Sequence, residues 1–125
     1  MAVTHPTAVR DGIANFVVDQ LDEGTPPGKL VFQTSGDVAV ATLTFSTTAF
    51  GNSSSGTATA AAITSDTNAV GGTIAKVRLR NAAGTDKIIG SVTATGGGGD
   101  IELSSVVISA GQTVSLSSLT YSAAP

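Results

Sequence analysis

The sequence predicts a mainly β fold, an antiparallel β-sandwich or jelly-roll-like barrel of about seven strands that is preceded by one α-helix. Residues 5–23 have the apolar spacing of a helix, and alternation with a period of two dominates after Pro27. Turn residues recur between the alternating segments. A length of 125 residues suits one domain, 1–125, with the helix at about 5–23 and the β-sandwich at about 29–121.

The helix is predicted from a single apolar stripe. Its members follow the spacing i, i+4, i+7, i+8 and i+12: Val9, Ile13, Phe16, Val17 and Leu21. Gly24 and the two prolines after it end the helix. Gly12 weakens a helix by about 1 kcal/mol relative to alanine. We therefore expect the stripe to be held by packing against the strands.

Seven segments have strand-like alternation or composition: 29–34, 38–46, 57–64, 73–81, 87–94, 101–108 and 113–121. The alanine-rich segment 57–64 has a helix as its alternative, but alternating threonines and flanking glycines favour a strand. Segment 73–81 has the clearest pattern, with three apolar residues on one face and three cations on the other. That pattern is typical of a half-buried antiparallel strand.

The composition excludes several classes of protein. Only 12% of residues are charged, and the net charge of −3 with six Lys and Arg argues against binding to nucleic acid. No long apolar run predicts a membrane helix, and no signal peptide is visible. The chain has no cysteine but 18 Thr, 14 Ser and 15 Gly. Such a weakly charged surface of small residues suits a permanent assembly or an extracellular β-protein.

The stretch TGGGGDIEL at 95–103 is the main candidate for a ligand-binding loop. Calcium-binding repeats need a differently placed acid and tandem copies, and a dinucleotide loop needs a helix after the glycines. A flexible connector is therefore the favoured interpretation. Asp100 and Glu102 lie on one strand face but lack the aromatic platforms of a glycosidase. We predict no enzyme activity and no catalytic, cofactor-binding or metal-binding residues.

Two charged clusters are candidates for docking a partner. The basic one is the stripe of Lys76, Arg78 and Arg80 on one strand face, suited to an acidic surface on a neighbouring subunit. The acidic one consists of Asp19, Asp22 and Glu23 near the helix C-terminus, where the helix dipole disfavours negative charge. For both clusters the alternative is an ordinary solvated face.

Several long segments carry a family resemblance: HPTAVRDGIANFVVDQLDEG, KLVFQTSGDVAVATLTFSTTAFG, AITSDTNAVGGTIAKVRLRN and SVTATGGGGDIELSSVVISAGQTVSLSSLTYSAAP. They resemble small virion structural proteins of tailed bacteriophages and prophages. The resemblance implies a non-enzymatic particle component that is assembled in the cytoplasm of the bacterial host. It implies most directly a capsid decoration (cement) protein, a homotrimer bound to the major capsid protein. The family provides no set of functional residues to transfer.

The alternative within this resemblance is a component of the tail, baseplate or fibre. Such a component would bind a host surface, for example a glycan. That role predicts exposed aromatic residues at loop tips, and Phe50 and Tyr121 are the two candidates.

Overall fold

The computed structural model describes residues 3–24 and 27–123, and strands dominate it. Helix α1 spans Thr7–Asp19 and continues into a 3-10 turn at Gln20–Asp22. The strands are β1 (Lys29–Gln33), β2 (Ala39–Thr44), β3 (Thr57–Thr59), β4 (Gly72–Thr73), β5 (Lys76–Arg80), β6 (Asp86–Ala94), β7 (Ile101–Leu103), β8 (Val107–Ile108) and β9 (Thr120–Ser122). The β-rich fold with one N-terminal helix is thus confirmed. The described residues form nine strands, not about seven, because the predicted strand 101–108 is divided and β4 is added.

Five strands form one mixed sheet in the order β2-β1-β5-β6-β7, while β3 pairs with β9 and β4 with β8. The neighbours from β2 to β6 are antiparallel, as predicted. The last pair corrects the all-antiparallel prediction, because β6 and β7 run parallel. Parallel neighbours usually need a crossover of a dozen or more residues. Here residues 95–100 suffice, because Gly96 and Gly98 adopt φ values of +90° and +80° and fold the chain back.

The inner face of the sheet carries the core. The fully buried large side chains are Phe32, Leu21, Leu30, Leu43, Ile74, Val18 and Val40. Two of them come from the helical segment and the rest from the strands and their connections, so helix and sheet share one hydrophobic cluster. No helix among the described residues is long and apolar enough to cross a membrane.

Helix α1 packs on β3 and β9, but not with the face that the sequence predicts. Phe16 is 67% exposed and Val9 45% exposed, whereas Ala14, Val18 and Leu21 are buried. The predicted stripe is therefore wrong at Val9 and Phe16, partly right at the half-buried Ile13 and Val17, and right at Leu21. The physical reason is the neighbouring loop, residues 49–56, whose backbone amides need acceptors.

Polar residues of the helical segment satisfy those amides and so face inward. Gly56 N–H donates to Asp11 Oδ1 at 2.7 Å, and Ser53 N–H donates to Asn15 Oδ1 at 2.7 Å. The Ser53 hydroxyl donates to Asp11 Oδ1 at 2.9 Å. These bonds fix the rotation of the helix about its own axis and leave Phe16 on the outside.

Candidate functional site

The predicted basic stripe lies along the middle of the outer sheet face, because β5 is flanked by β1 and β6. Its three cations alternate with two carboxylates. Lys76 Nζ lies 2.7 Å from Asp37, and Arg78 lies 3.3 Å from Asp37 and 3.2 Å from Asp86. Arg80 Nε lies 2.6 Å from Asp86. We call these five residues the charge ladder; three positive and two negative charges leave it with a net charge of +1.

The structure thus brings the three predicted cations together but adds two acids that the sequence analysis missed. Docking of an acidic partner to Lys76, Arg78 and Arg80 stays a prediction, and such a partner would compete with Asp37 and Asp86. Only the turn that holds Asp37 was visible in the sequence. Asp37 stands in a tight turn after β1, and the β1–β5 pairing brings the end of β1, Gln33, opposite Lys76.

Asp37 reaches the ladder because of its turn. Its φ of +67° lies in the left-handed region, and its N–H donates to Thr34 O at 3.0 Å while Thr34 N–H donates to Val38 O at 2.9 Å. The hydrogen bond from Lys76, followed by the charges of Lys76 and Arg78, lowers the pKa of Asp37 below its ordinary value.

We expect the variant Asp37→Asn to be less thermostable than the wild type at pH 6. Because the pKa is lowered in the folded state, the stabilising contribution is present above the ordinary aspartate pKa of about 3.9 and is lost as the pH falls through the folded value. Asparagine tolerates the left-handed conformation, so the turn itself is kept. Melting temperatures at pH 6 and pH 3 test this, and a difference of equal size at both values would contradict it.

The three residues of the predicted acidic cluster differ in their contacts. Asp22 Oδ1 accepts a hydrogen bond from Ala49 N–H at 2.9 Å, and Glu23 forms an ion pair with Lys87 at 2.8 Å. Asp19 is exposed on the helix. Two of the three carboxylates therefore hold the helix end to the body of the protein, and their role in docking a partner stays a prediction.

The glycine loop, residues 95–100, has its amides bound by the chain's own side chains. Gly96 N–H and Gly98 N–H donate to the two oxygens of Glu102 at 3.2 and 3.0 Å. Gly99 N–H donates to Thr93 Oγ1 at 3.0 Å. A Cβ on Gly97 would lie 2.6 Å from Thr93 Cβ, so the packing itself requires glycine there. A phosphate at these amides would have to displace Glu102.

Asp100 has a separate contact and does not act with Glu102. Its Oδ2 accepts hydrogen bonds from Ser91 N–H at 2.9 Å and from the Ser91 hydroxyl at 3.2 Å. Asp100 immediately precedes β7, and it binds Ser91, the residue of β6 that immediately precedes the β6–β7 pairing. The acidic pair considered in the sequence is thus divided between two structural contacts.

Removal of the Glu102 carboxylate is expected to loosen the glycine loop. In Glu102→Ala, the amides of Gly96 and Gly98 lose a charged acceptor worth about 1.5 kcal/mol, which corresponds to roughly tenfold faster hydrogen exchange. NMR-detected exchange of these two amides is the measurement, with Asp19→Ala as a control outside the loop. Unchanged exchange in Glu102→Ala would show that the loop does not depend on Glu102.

A groove of about 300 Å³ lies between β6 and β9. Its walls are mostly apolar, and the lining includes Leu79, Ile88, Ile101, Leu119 and Tyr121, with Asp100 as its charged member. Phe50 also lines it but is only 2% exposed, and its ring centroid lies 6.0 Å from that of Phe45. Phe50 is therefore a core residue, not the exposed loop-tip aromatic that a host-binding role predicts. Tyr121 is half-buried in the groove.

Nearly all carboxylates of the chain bind other parts of it. Three form ion pairs: Asp37, Asp86 and Glu23. Five accept backbone N–H groups: Asp11, Asp22, Asp66, Asp100 and Glu102. The ninth, Asp19, is exposed. The acidic side chains thus mainly fix loops and strands in place.

No group of three or more potential metal ligands converges within residues 3–24 and 27–123. Comparisons with models of known protein families, with characterised proteins and with solved structures find no match for this chain.

Proposed function

We propose that this chain is a non-enzymatic structural protein of a tailed-bacteriophage virion, and most specifically a capsid decoration protein. The observation that carries the proposal is that eight of nine carboxylates, and five of six cations, form ion pairs or hydrogen bonds within the protein. Only 12% of residues are charged, and ion pairs within the chain neutralise most of the charges on the surface, so the exterior is weakly charged in a chain rich in threonine, serine and glycine. Such a surface favours adhesion over broad areas.

The exposed apolar side chains support the same proposal. Seven large ones are exposed by 45–69% on the described residues: Val3, Val9, Phe16, Val38, Val70, Ile89 and Val107. Each buried Å² of such surface contributes about 25 cal/mol, and many weak contacts on one shell act together. The proposed partner is the major capsid protein, and the proposed site is the virion after assembly in the host cytoplasm. The proposed oligomer on the capsid, over the joints between its subunits, is a homotrimer.

We also propose that the fold is a β-sandwich or jelly-roll-like barrel. The five-stranded sheet and the two short ladders would be the parts of a sandwich or jelly-roll-like barrel, the architecture that the family resemblance implies. An experimental structure of the assembled protein tests this assignment. A sheet that stays open on one side after assembly would rule it out.

Cryo-electron microscopy of purified virions tests the location. Many copies at joints between capsid subunits are expected, and virions assembled without the chain are expected to release their DNA at lower temperature. Density at the tail alone would overturn the capsid assignment.

The groove between β6 and β9 favours one second candidate, a tail or fibre component that binds a host glycan. Tyr121 and Asp100 would provide an aromatic surface and a hydrogen-bond acceptor there. Glycan-array binding that is lost in Tyr121→Ala would support this candidate. An array without signal would remove it.

A further inference from the structure

The outer face of α1 carries a row of residues suited to pack against another helix. At 100° per residue, Val9, Gly12 and Phe16 lie on one side of the helix, opposite the buried Ala14 and Val18. Their spacing of three and four residues is that of a coiled-coil seam. Phe16 is one of only five aromatic residues in the chain, yet it is 67% exposed.

Gly12 has no explanation within the chain itself. It lies inside the helix and is exposed, and a Cβ built on it meets nothing within 4 Å. Alanine would fit and would stabilise the helix. A glycine at such a position is expected where another backbone or a large side chain approaches closely.

We propose that α1 pairs antiparallel with α1 of a second copy about a twofold axis, with each Phe16 ring packed over Gly12 of the other copy. The large and the small residue stand one helical turn apart, so a twofold axis between them matches each to its counterpart. This self-complementarity makes a second copy the occupant. The proposal does not depend on a role in virions.

Charge complementarity favours the antiparallel direction. The helix begins after Pro6 without a side-chain cap and has no acidic residue in its first turn. The proposed register places Asp19 of one copy opposite Val9, in the first turn of the other, where the helix dipole favours a negative charge. A parallel bundle would instead bring the exposed Asp19 carboxylates of its members together.

The proposed contact between the two helices is small, so we expect the dimer to be weak. A helix of 13 residues is about 20 Å long. Its face is smaller than the roughly 800 Å² per partner of a standard stable interface. The dimer is therefore expected to form only at micromolar or higher concentration.

Sedimentation equilibrium of the purified full chain, up to about 1 mM, tests the association. The wild type is expected to show a monomer–dimer equilibrium, and Phe16→Ala to weaken it about tenfold or more, as removal of a central aromatic anchor does. The control is Val38→Ala, a valine that is 60% exposed next to β2, and it should leave the equilibrium unchanged. A wild type that stays monomeric, or one that forms only trimers, would overturn the proposal.

Gly12→Ala separates the contact from ordinary helix stability. This variant is expected to melt at a higher temperature than the wild type, because alanine favours the helix, and yet to dimerise more weakly. A variant that gains stability and dimerises as well as the wild type would show that Gly12 is not at the contact.

Disulfide trapping tests the register, since the natural chain has no cysteine. Gly12→Cys and Phe16→Cys chains are mixed and oxidised, and mass spectrometry counts the products. The antiparallel register predicts the mixed 12–16 disulfide well above its random share, because that pairing keeps one Phe16–Gly12 contact intact. A preference for the Phe16→Cys homodimer indicates a parallel bundle, and random shares indicate no specific contact; either result contradicts the proposal.

Discussion

The Phe32→Ala variant is expected to lower the free energy of unfolding by about 3–5 kcal/mol, the usual cost of removing a large buried aromatic ring. Phe32 has no exposed surface. It lies on the central part of β1, opposite Ala41 of β2 and Val77 of β5. Both neighbours are small or medium in size, so little side-chain volume is available to fill the cavity. Urea unfolding followed by circular dichroism is the measurement.

Phe16→Ala is the matched control for this prediction, because the residue type and the substitution are the same. Phe16 is 67% exposed, and a surface change of this kind usually alters stability by less than about 0.5 kcal/mol. Both variants should be unfolded at a protein concentration below that at which the helices pair. Equal losses in the two variants would mean that the helix packs with its predicted stripe inward and that the described orientation is wrong.

The central strand β5 was the most predictable strand of the fold, whereas of the predicted strands 57–64 and 113–121 only Thr57–Thr59 and Thr120–Ser122 form. Along β5, Val77 and Leu79 point to the core, while Lys76, Arg78 and Arg80 point outward, as the alternation predicts. The prediction succeeds because polar and apolar residues alternate along a strand that has one solvent-exposed face and one buried face. Alternation within one strand does not show which strands pair with each other. The parallel β6–β7 pair was therefore not predictable from the sequence, apart from the glycines between its strands.

The helix shows where the pattern misleads. Hydrophobic periodicity located α1 well, at Thr7–Asp19 with a further turn to Asp22 against the predicted 5–23. It failed on the buried face, because it gives no weight to the backbone amides of a loop that lies far away in sequence. Asp11 and Asn15 stabilise the fold more when they face the loop, because there they accept hydrogen bonds from the N–H groups of Gly56 and Ser53.

The charge ladder was half predictable for a similar reason. The three cations are spaced two residues apart, and this spacing alone places them on one face of the strand. Their carboxylate partners come from a turn and from the next strand, and only the register of β1, β5 and β6 brings them within 3.3 Å. A prediction that pairs neighbouring strands first would have found Asp86, six residues after Arg80.

The Asp11→Ala variant is expected to lose about 2 kcal/mol of stability, because a part-buried amide and a hydroxyl lose a charged acceptor together. The amide is that of Gly56 and the hydroxyl that of Ser53. The loss should be accompanied by faster hydrogen exchange at Gly56, since Asp11 links the helix to that loop. Chemical denaturation gives the free energy, and NMR gives the exchange rate.

Asp19→Ala is the control, as it removes the same side chain from the same helix at an exposed position. Its effect on stability is expected to stay within about 0.5 kcal/mol. Asp11→Asn keeps one carbonyl acceptor but no charge, and should fall between the wild type and Asp11→Ala. If Asp11→Ala were as stable as Asp19→Ala, the inward polar contacts would not hold the helix, and the exposure of Phe16 would need another cause.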